Sequence, residues 1–146
     1  MQKRSTPLDK ELALSCNLDL NTLDFSLQTF GEFLRHVRSA RQVSIRDFED
    51  SIGKTRVYIS DIERGKNKPP DKELLDLMIL KLNIKDYPRV VNRLYDLAAI
   101  ERNTVPDDLK DWIMADAGHR EFLRKCRDRK LTSAQIKKIT KIVEEM

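Results

Sequence analysis

The sequence is short of the residue types on which most catalytic and cofactor chemistry depends. Its 146 residues include four glycines, two cysteines, two histidines and one tryptophan. Cys16 and Cys126 lie far apart, so they define neither a disulfide framework nor a metal-ligand spacing. His36 and His119 have no neighbouring Ser, Cys or paired acids that would set up a base against a nucleophile, and are expected to be exposed or partly buried. No His-Glu-x-x-His or paired-cysteine motif occurs, and the scarcity of glycine argues against a phosphate-cradling loop. An enzyme, a cofactor and a metal site are therefore not expected. No apolar run approaches the ~18 residues of a membrane span. Asp9, Lys10 and Glu11 interrupt the stretch where a signal peptide needs an apolar centre. The expected setting is reduced and cytoplasmic, without a membrane partner.

What is present is charge and helical periodicity. Charged residues make up 36% of the chain, and 28 Lys and Arg against 24 Asp and Glu leave a formal charge of +4. So mild an excess is compatible with a nucleic-acid partner without establishing one. Where the charge clusters is more informative.

The organising stretch runs from Ser44 to Gly65. Ser44 is a good N-cap, because its hydroxyl accepts from an otherwise orphaned N–H of the first turn. Ile45, Phe48 and Ile52 then recur on one helical face. Gly53 stands where a chain leaving a helix often needs positive φ. Thr55 can cap a second helix whose buried side is Ile59 and Ile62, Gly65 closes it, and Pro69-Pro70 prevent continuation. Two short helices about a glycine turn form a helix-turn-helix, whose second helix can enter a DNA major groove. Arg56, Val57, Ser60, Asp61 and Arg64 fall opposite Ile59 and Ile62, while Lys54, Lys66 and Lys68 fringe the helix with charge suited to phosphates. A solvated hairpin in any small bundle would share the two-helix period alone.

The full spacing is more restrictive. Phe33-Leu34-Arg35 with Arg38, Val43-Ser44, Phe48, Gly53, Tyr58-Ile59-Ser60, Ile62-Glu63-Arg64-Gly65 and Pro69 resemble the lambda-repressor-like, XRE-type helix-turn-helix family over about residues 30–84. The resemblance implies an all-α fold: a lambda-repressor-like helix-turn-helix domain of four to five helices, here with a C-terminal helical extension, binding operator DNA as a dimer. It also implies that Arg38 pairs with Glu63 behind the recognition helix, where an unpaired carboxylate would be costly. Three positions depart from the family pattern. Glu49 replaces a small alanine at the helix crossing, Lys54 replaces an aliphatic turn residue, and Gln42 replaces a helix-ending glycine. Glu49 and Lys54 can snorkel or pair with each other, whereas Gln42 at positive φ is strained.

On either side of this core the chain is less specific. Residues 1–27 carry Lys3, Arg4 and scattered leucines, and are expected to be a flexible tail, with a DNA-wrapping basic arm as the alternative. Phe30, Phe33, Leu34 and Val37 define an amphipathic helix bearing Arg35, Arg38 and Arg41. Asp71 caps a helix to about Leu82, in which Leu74, Leu75, Met78 and Leu82 complete a core with Phe33, Val37 and Phe48. Pro88 starts another, ending before Asn103, whose broad stripe of Val90, Val91, Leu94, Leu97, Ala98 and Ile100 suits either a core or a dimer seam. Leu109, Trp112 and Ile113 share a short helix. Phe122, Leu123 and Cys126 face away from a dense basic side between His119 and Lys130. Thr132 with Gln135 reads as a capping box before a last helix with an inner face of Ile136, Ile139, Ile142 and Val143.

The division expected is a tail at 1–27, the helix-turn-helix domain at 28–86, and a helical region at 87–146 for dimerisation or partner binding. From about Tyr95 the pieces Tyr95-Asp96-Leu97-Ala98, Arg102-Asn103, Val105-Pro106, Leu123-Arg124-Lys125 and the Ile-rich end also resemble small phage- or mobile-element-type regulators. That looser resemblance implies a protein partner, a zinc metallopeptidase or a toxin. The function expected is sequence-specific transcriptional regulation, as a repressor on an inverted-repeat operator, with an antitoxin that autoregulates its operon as the alternative. Base reading falls to Arg56, Val57, Ser60 and Asp61. Phosphate contacts fall to Ser44, Arg46, Lys54, Thr55, Tyr58, Arg64, Lys66 and Lys68. Ser44 and Thr55 can equally serve only as caps, Tyr58 as packing, and Lys66 and Lys68 as solvated charge. No aromatic platform on a sheet suggests RNA.

Overall fold

A computed structural model describes residue 20 and residues 23–146. Cys16, and the expected tail or arm apart from Leu20 and residues 23–27, lie outside the described residues. The described residues form helices and no strand. They are α1 (Phe30–Ala40), α2 (Ile45–Ile52), α3 (Arg56–Glu63), α4 (Lys72–Lys81), α5 (Pro88–Arg102), α6 (Asp107–Ala115), α7 (Ala117–Asp128) and α8 (Ser133–Glu144). The fold is all-α, with a helix-turn-helix at α2–α3.

Local chemistry sets most of these boundaries. Thr29, Ser44, Thr55 and Asp71 each sit in extended backbone at an N-cap and accept from the backbone N–H three residues on, at Glu32, Asp47, Tyr58 and Leu74. Each cap satisfies a donor that the first turn leaves without an intrahelical partner. Helix ends are as regular. Gln42, Gly65 and Asn83 stand at positive φ just past α1, α3 and α4. In each case the next residue's N–H returns to a carbonyl in the last turn: Val43 to Arg38, Lys66 to Asp61 and Ile84 to Ile79. That bond pattern satisfies the orphan carbonyls, and glycine or asparagine bears the left-handed conformation at least cost. Gln42 is the position where neither is present.

The chain divides into two compact units, residues 1–107 and 108–146. The first contains a continuous core of Phe30, Phe33, Leu34 and Val37 from α1, Phe48 and Ile52 from α2, Ile59 and Ile62 from α3, Leu75, Met78 and Ile79 from α4, and Val90, Leu94, Leu97 and Ala98 from α5. By contacts the boundary between the units lies near residue 107, and α5 is a core helix whose buried stripe packs with the helix-turn-helix. Ile100 does not join that stripe and is exposed. In the stretch expected as tail, Leu20 is fully buried, and Leu23, Phe25 and Leu27 pack against the core.

Several polar side chains fasten helix ends across long sequence distances. Glu101 accepts from the Phe30 N–H at 2.8 Å and so serves the start of α1. Arg41 donates to the carbonyls of Leu82 and Asn83 at the end of α4. Arg93 donates to the Leu27 carbonyl, and Arg102 to the Pro69 carbonyl.

The second unit is built differently. None of the residues of α6, α7 or α8 is buried. Trp112 and His119 stack with ring centroids 4.0 Å apart and planes 8° apart, and His119 Nδ1 lies 2.6 Å from the Trp112 carbonyl. Arg120 donates to the carbonyls of Ile113 and Met114. Thr132 and Gln135 form a reciprocal capping box at the start of α8. The apolar side of α8, expected to face inward, is largely outward: Ile142 is 56% and Val143 60% exposed.

Candidate nucleic-acid interface

The geometry of α3 follows from what holds its buried side. Ile59 and Ile62 are sunk in the core, which turns Val57, Ser60, Asp61 and Arg64 outward. Val57 is 67% exposed, so its methyls are available on the outer side of the helix. Arg56 is exposed in the first turn, where no acidic residue stands. The positive end of the helix dipole is thus uncompensated by the helix itself, which favours an approaching anion.

Behind α3, Glu63 is 7% and Arg38 9% exposed. Arg38 Nε donates to Glu63 Oε1 at 2.6 Å and Nη2 to Oε2 at 3.1 Å. The third arm, Nη1, donates to the Val43 carbonyl at 2.7 Å, tying the end of α3 to the turn before α2. Such a forked, charge-assisted contact fixes orientation as well as distance. Gly31 adds a steric constraint. A Cβ there would lie 2.2 Å from the Ile62 carbonyl oxygen and 2.6 Å from that of Glu63. The backbones of α1 and α3 therefore touch, and α3 is held at its C-terminal end by contact as well as charge.

The remaining expected contact residues fall around this helix. Ser44 Oγ accepts from Asp47 N and donates to Asp47 Oδ2, and Thr55 Oγ1 accepts from Tyr58 N, so both hydroxyls work as caps. Lys54 lies over the Tyr58 ring, 5.4 Å from its centroid, rather than beside Glu49. Burial, aided by the charge of Asp71 and opposed by Arg102, pushes the Tyr58 phenol above its ordinary value. It stays protonated at neutral pH and can donate a hydrogen bond. Arg64 spans 3.1 Å to Asp61 Oδ1 and also donates to the Ser60 carbonyl. The Asp61 carbonyl accepts from Lys66 and Asn67, holding the loop that carries Lys66 and Lys68, both exposed. Arg46, half-buried, sits on α2. Ser60 is half-buried as well.

Residues 29–80 match the family model of a helix-turn-helix domain. This segment is therefore a helix-turn-helix, the architecture with which DNA-binding regulators present a helix to the major groove. Comparison with curated proteins and with solved structures gives no match. Among the described residues, no helix is long and apolar enough to cross a membrane.

Gly31 and Glu101 are positioning residues that pattern reading passes over. A lone glycine inside an amphipathic helix costs about 1 kcal/mol against alanine, and that cost is a usable signal of close packing. For Glu101, 71 residues from the N–H it serves, no local signal exists.

Proposed function

We propose that the chain is a sequence-specific DNA-binding transcriptional regulator, a repressor that binds an inverted-repeat operator as a homodimer. The observation that carries this reading is the outward row of α3, with Arg56, Val57 and Arg64 exposed on a helix whose opposite side is locked by Arg38, Glu63 and Gly31. Rigid presentation matters because a recognition helix must meet base edges within hydrogen-bond tolerance. Arg56 reads guanine O6 and N7 with its forked donors, and Val57 meets a thymine methyl. Ser60 supplies a hydroxyl to a neighbouring base. Asp61, with Oδ1 held by Arg64, accepts from a cytosine amino group through its other oxygen. Ser44, Arg46, Lys54, Thr55, Tyr58, Arg64, Lys66 and Lys68 place the helix on phosphates. The apolar sides of α6–α8 meet those of a second copy.

Selection of bound sites from random duplexes tests binding, motif and half-site symmetry together. On the selected site Arg56→Ala is expected to cost about 1–3 kcal/mol and to relax preference at one base pair, whereas Lys66→Ala weakens all sequences alike and flattens the salt dependence. Equal losses on selected and random DNA for both variants would overturn the assignment.

A second reading, an antitoxin or a substrate of a metallopeptidase, draws on the same exposed residues of the second unit, among them Trp112, Phe122, Ile136 and Val143. It is favoured if a neighbouring gene's product copurifies with the chain and arrests growth when expressed alone.

A further inference from the structure

The basic charge of this chain is concentrated away from the helix-turn-helix. Residues 44–68 carry six Lys or Arg against five Asp or Glu, a net +1. Residues 120–141, which cover most of α7 and α8, carry nine against two, a net +7 in 22 residues. Part of that charge is internally compensated. Lys125 pairs with Glu121, Arg127 with Asp128, and Arg120 is spent on the carbonyls that end α6. The side chains of Arg124, Arg129, Lys130, Lys137, Lys138 and Lys141 have no hydrogen-bond or ion-pair partner among the described residues, and all are exposed.

Their placement is directional. Lys137, Lys138 and Lys141, at i, i+1 and i+4, share one side of α8, and Ile136, Ile139 and Val143 share the opposite side. On α7, Arg124 is likewise opposite Phe122, Leu123 and Cys126. Six cations held without counter-charges repel one another and are stabilised by an extended polyanion. The apolar sides stay free for another occupant, because they point the other way.

We propose that the basic sides of α7 and α8 make a second, sequence-independent contact with the sugar–phosphate backbone of duplex DNA. The inference rests on the reading of α3 as a DNA-binding helix only for the choice of polyanion. A duplex engaged by α3 is held at high local concentration for any other basic surface of the same chain. An anionic lipid surface would also suit a helix with basic and apolar sides, so the tethering of a duplex by α3 decides the choice, and vesicles are an arm of the test.

The test compares full-length wild type with Lys137→Gln/Lys138→Gln/Lys141→Gln and with Arg56→Ala, on a selected site and on a random duplex, between 50 and 200 mM salt. Each lost phosphate contact lowers the slope of log affinity against log salt by roughly 0.9, so the triple variant is expected to lose about 2–3 units of slope on both duplexes with discrimination unchanged. Arg56→Ala is expected to lose discrimination and keep most of the slope. An unchanged slope in the triple variant overturns the proposal, as does a wild type that binds no duplex at 50 mM salt. So does a loss seen only with vesicles containing phosphatidylserine, or only with poly-glutamate. If the triple variant loses slope while Arg56→Ala leaves discrimination intact, the second contact stands and the base-reading role of Arg56 falls. Circular dichroism of the triple variant is expected to match wild type, with melting equal or raised by relieved repulsion; a lower melt would itself contradict the placement of the three lysines at the surface.

Discussion

The two units of this chain differ in where their helices find stability. In residues 1–107 every described helix from α1 to α5 gives side chains to a shared core, and polar groups such as Glu101 and Arg41 close the helix ends. In residues 108–146, helices of nine to twelve residues bury no residue, although α7 and α8 keep side-chain N-caps at Asp116 and Thr132. Isolated helices of that length are marginal in water, because nucleation costs more than so few bonds return. Good capping decides where a helix would start and stop; burial decides whether it persists. The first unit has a buried core of its own, whereas the second leaves the apolar sides of its helices largely uncovered.

The largest effect should come from separating the units. A peptide of residues 105–146 is expected to lose most of its helical circular dichroism at low micromolar concentration and to regain it as concentration rises. A fragment that is monomeric by sedimentation and fully helical when dilute would break the contrast.

Within the first unit, the ion pair behind α3 should dominate. Arg38→Ala leaves the Glu63 carboxylate buried without its partner, a change that typically costs about 3–5 kcal/mol. Urea denaturation should show the midpoint falling with the slope unchanged. Replacing both residues by apolar ones of similar size should recover much of the loss, because the penalty lies in the orphaned charge and not in the absence of attraction. An unchanged midpoint in Arg38→Ala would mean the pair contributes nothing to holding α3.

Gly31→Ala probes the same helix by contact alone. Alanine is the better helix former by about 1 kcal/mol, so a mutation judged by local propensity should stabilise. The new methyl would instead meet backbone oxygens of Ile62 and Glu63, which cannot rotate aside as a side chain can. Overpacking of this kind costs about 1–3 kcal/mol, and the tilt of α3 should shift, so melting temperature and DNA affinity should fall together. A rise in melting temperature would refute the close approach of α1 and α3.

These cases show which parts of the structure were legible in the sequence. Ser44, Thr55, Asp71 and Thr132 cap the helices that follow them, and Gly53 and Gly65 take the left-handed turn, because each depends on a neighbour within a few residues. Helical periodicity likewise picked out Ile59 and Ile62 as the buried side of α3, which fixes what remains outside. Burial of Leu20, the membership of α5 in the first core and the Glu101 bond to α1 depend on residues tens of positions away, and no local pattern encodes them. The open seam of α8 escaped for a related reason. An amphipathic period says that a side wants covering but not whether the same chain covers it.

The smallest effect expected is at Gln42, where the chain leaves α1 at φ 54°. A side chain in that region costs about 1–2 kcal/mol, which glycine avoids. Glycine also widens the unfolded ensemble, at a cost of roughly 0.4–1 kcal/mol. The difference favours Gln42→Gly by about 0–1.6 kcal/mol. Gln42 is exposed and its backbone N–H bonds to the Ser39 carbonyl, so the exchange breaks no side-chain contact. The melting temperature should therefore rise by a few degrees at most, with the salt slope on DNA unchanged. A fall in stability would mean that the left-handed turn is not strained, and that the first unit draws more from this glutamine than its place at the surface implies.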